Sequence, residues 1–165
     1  MLRSKAETVG LYIHSIASVP TYVGISALFA LYLYASGSPY DALIFSCSAC
    51  ALVVIVAILK ILTNVARPKE RLLELGWAAF PSGHAAGSMF LTVLIPYYAL
   101  QINFTLGMFL LLLGVVLTAA ISAGRLVIRV HTKVQVIAGL LTGVLVSTWT
   151  IYFREEFLTL LNSVL

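Results

Sequence analysis

Four long intervals of this chain carry no Asp, Glu, Lys or Arg: Thr8–Tyr40, Ala42–Leu59, Leu75–Gly124 and Val134–Phe153. A helix needs about 20 apolar residues to cross a bilayer. Inside hydrocarbon only a segment that satisfies its own backbone hydrogen bonds survives, so each interval predicts helix. The third, about 50 residues long, is sufficient for two spans with a turn at about Pro96–Asn103. Five spans are expected, over about 10–34, 41–62, 79–98, 104–123 and 134–154. The fold class is an all-α polytopic membrane bundle, a single domain over residues 1–165. A content of 61% hydrophobic and 10% charged residues, with mean hydropathy +1.05, excludes an ordinary soluble domain.

The first apolar stretch is too long for the apolar region of a signal peptide and lacks a convincing cleavage site, so the N-terminus is expected to stay. Cys47 and Cys50 form a CxxC inside the second span without a neighbouring His or acid, and read as small packing residues. Gly139 and Gly143, at GxxxG spacing, read as a site of close helix packing. A net charge of +4 does not make this a nucleic-acid binder, because the basic residues are not spread over a soluble face. Anionic lipid headgroups suit them better.

Threading five spans alternately across the bilayer gathers nine of the ten Lys and Arg residues on one face, Arg154 being the exception. For Arg3, Lys5, Lys69 and Arg71 orientation of the helices is reason enough. The segment 68–77 can lie as a short interfacial helix with Leu72, Leu73, Leu75 and Trp77 towards lipid. The same threading brings Lys60, Arg67, His84, Arg125 and His131 to one level at helix ends. Ionisable groups at membrane depth are costly, which makes such a cluster a candidate site. His14, near the basic end of the first span, reads as interfacial or hydrogen-bonded rather than catalytic.

FPSGHAAG, residues 80–87, opens the third span. Pro81 and Gly83 permit a tight turn into a helix whose first N–H groups are unpaired and attract anions. Ser82 adds a hydroxyl, and His84 a group that can move a proton near neutral pH. Upstream lies K-x6-RP (Lys60, Arg67, Pro68), and downstream R-x5-H (Arg125, His131). Together, in this order, the three resemble the signature of the type-2 phosphatidic acid phosphatase superfamily, over about 75 residues from Lys60 to Gln135.

That resemblance implies roles for individual residues. Lys60, Arg67 and Arg125 would bind phosphoryl oxygens, with Ser82 and the N–H of Gly83 completing the cradle. His131 would attack phosphorus and become a phosphohistidine. His84 would protonate the departing oxygen and then assist water. No metal or other cofactor is expected, since fixed cations take the role of Mg2+. Two positions depart from the pattern: Gly124 stands where the superfamily usually has Ser, and Gln135 where it usually has Asp. An amide carbonyl can still hold the imidazole of His131, so Gln135 is kept among the site residues.

The stretch His131-Thr-Lys-Val-Gln-Val-Ile-Ala-Gly139 looks like that of dolichyl diphosphatases. The resemblance implies hydrolysis of a polyprenyl diphosphate to the monophosphate in the cell membrane or endoplasmic reticulum membrane. A broader lipid phosphatase, acting on phosphatidic acid, phosphatidylglycerol phosphate or undecaprenyl diphosphate, keeps the fold and changes the substrate. A non-enzymatic transporter of anionic lipids is the rival of another class, separated by whether His131 is indispensable. Loop charges place the site in the cytoplasm, whereas resemblance to the dolichyl enzymes places it on the opposite face.

Overall fold

The computed structural model describes residues 4–73, 75–76 and 78–164, with side chains as far as residue 160. Arg3 and Trp77 therefore lie outside the described residues. Six helices follow one another: α1 Lys5–Ile16, α2 Val19–Ala35, α3 Pro39–Thr63, α4 Gly83–Ile102, α5 Phe104–Val127 and α6 Lys133–Val164. Helices α3, α4, α5 and α6 are each long and apolar enough to cross a membrane. The expected first span is instead the pair α1 and α2, bent by 46°, which makes a fifth when the pair is taken as one. Pro20, in the first turn of α2, explains the break, since it offers no N–H to continue α1.

Two further expectations fail locally. Pro96 lies inside α4 and not in a turn, and the chain reverses at Asn103, whose side chain accepts from Leu106 N at 2.9 Å to cap α5. A proline within a membrane helix is tolerated where neighbouring helices cover the freed backbone, and Pro96 is buried. The described residues of 68–77 are turn and bend rather than interfacial helix. There Arg67 binds the carbonyls of Gly76 and Ala78, which ties the chain back on itself and competes with helical pairing.

The core lies among α2, α3, α4 and α6, where Phe45, Leu52, Phe90, Leu94 and Tyr98 are buried together. Lipid tails are as apolar as Leu, so helices in a bilayer associate through close packing more than hydrophobic driving force. That need explains Gly139 and Gly143: a Cβ at either would run into the backbone carbonyl of Ser82 or Ala86. The close contact is thus between α4 and α6 of one chain. Large side chains such as Leu28, Leu112, Leu145 and Trp149 face outward, as suits a lipid-facing surface. Cys47 and Cys50, read from the sequence as small packing residues, are free and exposed on α3.

Candidate active site

The close approach of α4 and α6 fixes the site's floor. Ser82 N donates to Gln135 O at 2.9 Å, which joins the start of one helix to the first turn of the other. The loop between α3 and α4 is pinned by Ala79 N to Val65 O at 2.9 Å, and to the α5–α6 connection by Leu72 N to Ile128 O at 3.1 Å. The basic and imidazole side chains project from this frame.

Arg125 ends α5 almost wholly buried, 2% exposed, and Ser82 is fully buried. One guanidinium nitrogen of Arg125 donates to His14 Nδ1. Its Nε and second NH2 nitrogen, like Ser82 Oγ, have no hydrogen-bond partner in the protein. A buried unpaired donor costs about 1–3 kcal/mol, and more when charged. Three such atoms beside the unpaired N–H groups at the start of α4 form a cradle shaped for an anion.

His131 is buried in the α5–α6 connection. Arg67 NH1 donates to its Nε2 at 3.2 Å and to Val130 O at 3.0 Å. Since a guanidinium only donates, Nε2 accepts and the neutral ring's proton sits on Nδ1, 3.3 Å from Gln135 Oε1. Gln135 Oε1 also accepts from Thr132 N at 2.9 Å, while Thr132 Oγ1 faces Gln135 N at 3.4 Å. This is a reciprocal capping box at the start of α6. The amide that closes it also orients the imidazole. Burial, and then the charges of Arg67, Arg125 and Lys60, push the His131 pKa from 6.5 down to about 3, against the opposing pull of Gln135. The ring is neutral at physiological pH, with a lone pair on the atom Arg67 holds.

His84, in the first turn of α4, is within electrostatic reach of Arg125, His14, His131 and Lys60. Lys60, Gly83 and His84 line one end of a cavity of about 310 Å3 that continues between α2, α3 and α4 past Tyr22, Val56 and Leu91. Its walls are largely apolar away from that end, as a lipid chain requires.

All eight expected site residues, Lys60, Arg67, Ser82, Gly83, His84, Arg125, His131 and Gln135, therefore lie at one end of the bundle. Arg67 is the one whose surroundings differ from expectation: its donors are largely engaged by the carbonyls of Gly76, Ala78 and Val130. His14 is hydrogen-bonded, as the sequence suggested, but its partner is Arg125, and its ring lies 5.8 Å from that of His84. Gly10, one turn earlier on the same face, packs against Ile128 and the Gly124 carbonyl. A glycine and a lone histidine four residues apart, in the uncharged part of α1 after Glu7, were the signal for this contact. The described residues hold no group of three or more His, Cys, Asp or Glu able to bind a metal ion.

An α-helical membrane bundle with a cationic, two-histidine cradle at the helix ends defines a class of phosphoryl-transfer proteins. The chain belongs to the PAP2 superfamily, which matches residues 41–158. It is accordingly a membrane phosphatase of that superfamily. The fold is similar to the crystal structure of a transmembrane PAP2-type phosphatidylglycerolphosphate phosphatase from Bacillus subtilis, with TM-score 0.84 and 17% identity over 94% of this chain and 80% of that one. No curated protein sequence matches the chain significantly.

Proposed function

We propose that this phosphatase hydrolyses a polyprenyl, dolichyl-type diphosphate to the monophosphate and inorganic phosphate through a phosphohistidine. The observation that carries the phosphoryl site is the set of buried, unpartnered donors on Ser82 and Arg125. The substrate branch rests on the 131–139 stretch, and the apolar cavity ending at Lys60 and His84 would take the isoprenoid chain.

In this reading Arg125, Lys60, Ser82 Oγ and the N–H of Gly83 hold the terminal phosphoryl group. An incoming phosphoryl oxygen takes over the Arg67 N–H that caps His131 Nε2, so the nucleophile's lone pair is released as substrate arrives. Nε2 bonds to phosphorus while the bridging P–O bond breaks, and His84, protonated once the anionic substrate is bound beside it, gives that second ring proton to the leaving oxygen of the lipid monophosphate and becomes neutral. The phosphorylated ring keeps its Nδ1 proton on Gln135. Water then attacks phosphorus, His84 takes a water proton, and phosphate leaves with His131 restored. Charge stabilisation by fixed cations does the work a metal does elsewhere.

Purified protein in detergent, offered polyprenyl diphosphate, phosphatidic acid and phosphatidylglycerol phosphate in turn, tests the reading through phosphate release. Polyprenyl diphosphate should have the highest kcat/KM. A second reading, a broad lipid phosphatase, is favoured by the likeness to the phosphatidylglycerolphosphate enzyme, and a preference for the glycerolipids would establish it against the first.

A further inference from the structure

His14 comes from α1, outside the matched residues 41–158, yet its Nδ1 accepts from Arg125 and its ring lies against that of His84. Because the guanidinium can only donate, a neutral His14 carries its proton on Nε2. The site therefore holds a third imidazole, with an N–H to offer, on the side of His84. The nucleophile is held from another direction, by Arg67 and Gln135. In an in-line displacement the attacking and leaving atoms lie on opposite sides of phosphorus, so groups beside the general acid border the leaving group.

Position 124, where the chain departs from the superfamily pattern, lies against α1. The side chain of Ile13 lies 3.2 Å from where a Cβ on Gly124 would stand. A Cβ there would be tight against the Ile13 side chain, and the imidazole of the next residue along α1 reaches Arg125. The cavity for the lipid chain starts at Lys60 and His84 and is bounded by Ala17 and Ser18, just beyond the end of α1. Whatever lies between the reacting phosphorus and the lipid chain must pass this corner.

We infer that His14 is a specificity-determining residue whose Nε2–H binds the non-reacting phosphate of a lipid diphosphate. The inference rests on the proposed diphosphate substrate. With a monophosphate ester the leaving group is a neutral alcohol and the N–H has no anion to meet. With a diphosphate the leaving group is itself a phosphate monoester, whose negative charge it stabilises as the bridging bond breaks.

The substitution His14→Asn separates this from mere support of Arg125, since the amide oxygen can accept at the Nδ1 position while the distal N–H is lost. Thermal unfolding of the purified variant verifies that it folds, and His14→Phe, which loses both contacts, provides the comparison. Loss of one hydrogen bond to a charged group predicts a drop of about tenfold or more in kcat/KM on polyprenyl diphosphate. On polyprenyl monophosphate and phosphatidic acid, His14→Asn should stay within about threefold of the parent, whereas His14→Phe should fall on every substrate. An equal loss on both substrate types in His14→Asn, or no loss on either, overturns the assignment.

Inorganic pyrophosphate and orthophosphate as competitive inhibitors give a readout that needs no diphosphate lipid. The parent should bind pyrophosphate more tightly, and His14→Asn should erase that preference; a preference that survives overturns the role of His14. A parent enzyme inactive on polyprenyl diphosphate but active on phosphatidic acid instead overturns the proposed substrate, and the role of His14 with it.

Discussion

Two buried arginines stand at opposite ends of this bundle and are treated in opposite ways. Arg154, near the far end of α6, gives Nε and NH2 to the two oxygens of Asp41 at 2.7 and 3.1 Å, and NH1 to Glu155 at 2.7 Å and Tyr97 at 3.3 Å. The rings of Tyr97 and Tyr98 lie 5.7 and 5.6 Å from its guanidinium carbon. Arg125 has one side-chain partner, His14, and two nitrogens with none. Both pay to leave water, but only Arg154 is compensated by carboxylates within the fold. A cation satisfied by its own protein is scaffold joining α3 to α6. One left with donors to spare is a place for another molecule's anion.

The largest effect that can break this contrast is at His131, the proposed nucleophile. His131→Ala should lower phosphate release by at least about a thousandfold, because the proposed covalent bond is to its Nε2. Unfolding of the variant should stay close to that of the parent. Turnover at the normal rate would end the phosphohistidine mechanism, and exposed Lys133→Ala should serve as the active control. Arg125→Met is the next step down. Removing one preorganised donor costs about 10²–10³ in rate. Since the lost cation had unpaired buried nitrogens, thermal stability should hold or rise. A variant that unfolds instead would mean that Arg125 is scaffold like Arg154, and the comparison would collapse.

How much of this was legible follows from what each signal averages over. Absence of charge over whole intervals is a property of about 20 residues at once, so the spans now seen as α3, α5 and α6 could be placed from sequence. The break at Ala17–Ser18 could not be seen that way, because Pro20 changes the direction of a helix without changing its hydropathy. Pro96 misled in the reverse sense: a proline reads as a turn, yet surrounding helices let α4 run through it. The ordered motifs pointed to eight candidate residues that the fold does bring to one end, because their spacing reflects shared position at helix ends. Spacing carries no information about partners, so the carbonyls that absorb Arg67 and the Arg125 contact of His14 needed coordinates. Gln135 was expected to hold His131, but its second task, closing the capping box with Thr132, emerged only from the geometry.

Arg154→Met sharpens the same comparison from the scaffold side. Breaking a buried pair by removing one partner costs about 3–5 kcal/mol, since Asp41 is left charged and unpaired. Thermal or denaturant unfolding in detergent should show that loss, while kcat of the protein that remains folded should be within about twofold of the parent. The double change Asp41→Leu with Arg154→Met should recover much of the stability, because neither charge is then stranded. If it does not, the ion pair is worth more than its desolvation and the far end is more than a replaceable clamp.

The smallest effect is a slope with pH, and it reports on the site end alone. His131 ionises at about 3 in the folded protein against an ordinary value of 6.5. Between those values the unfolded chain binds a proton that the folded one refuses, so folding stability rises with pH across the window. The contribution is complete above about 6.5 and is lost as pH falls towards 3, at no more than about 1.4 kcal/mol per pH unit for one group. His131→Gln removes the titration, so its unfolding temperature should fall less than the parent's between pH 7 and pH 5. The exposed pair Arg129 and Glu70, 3.1 Å apart outside the cradle, gives the contrast: Arg129→Gln should leave the parent's slope unchanged. Equal slopes in the parent and His131→Gln would mean that the imidazole is not held neutral among buried cations, and the proposed nucleophile would lose the feature that fits it for attack at neutral pH.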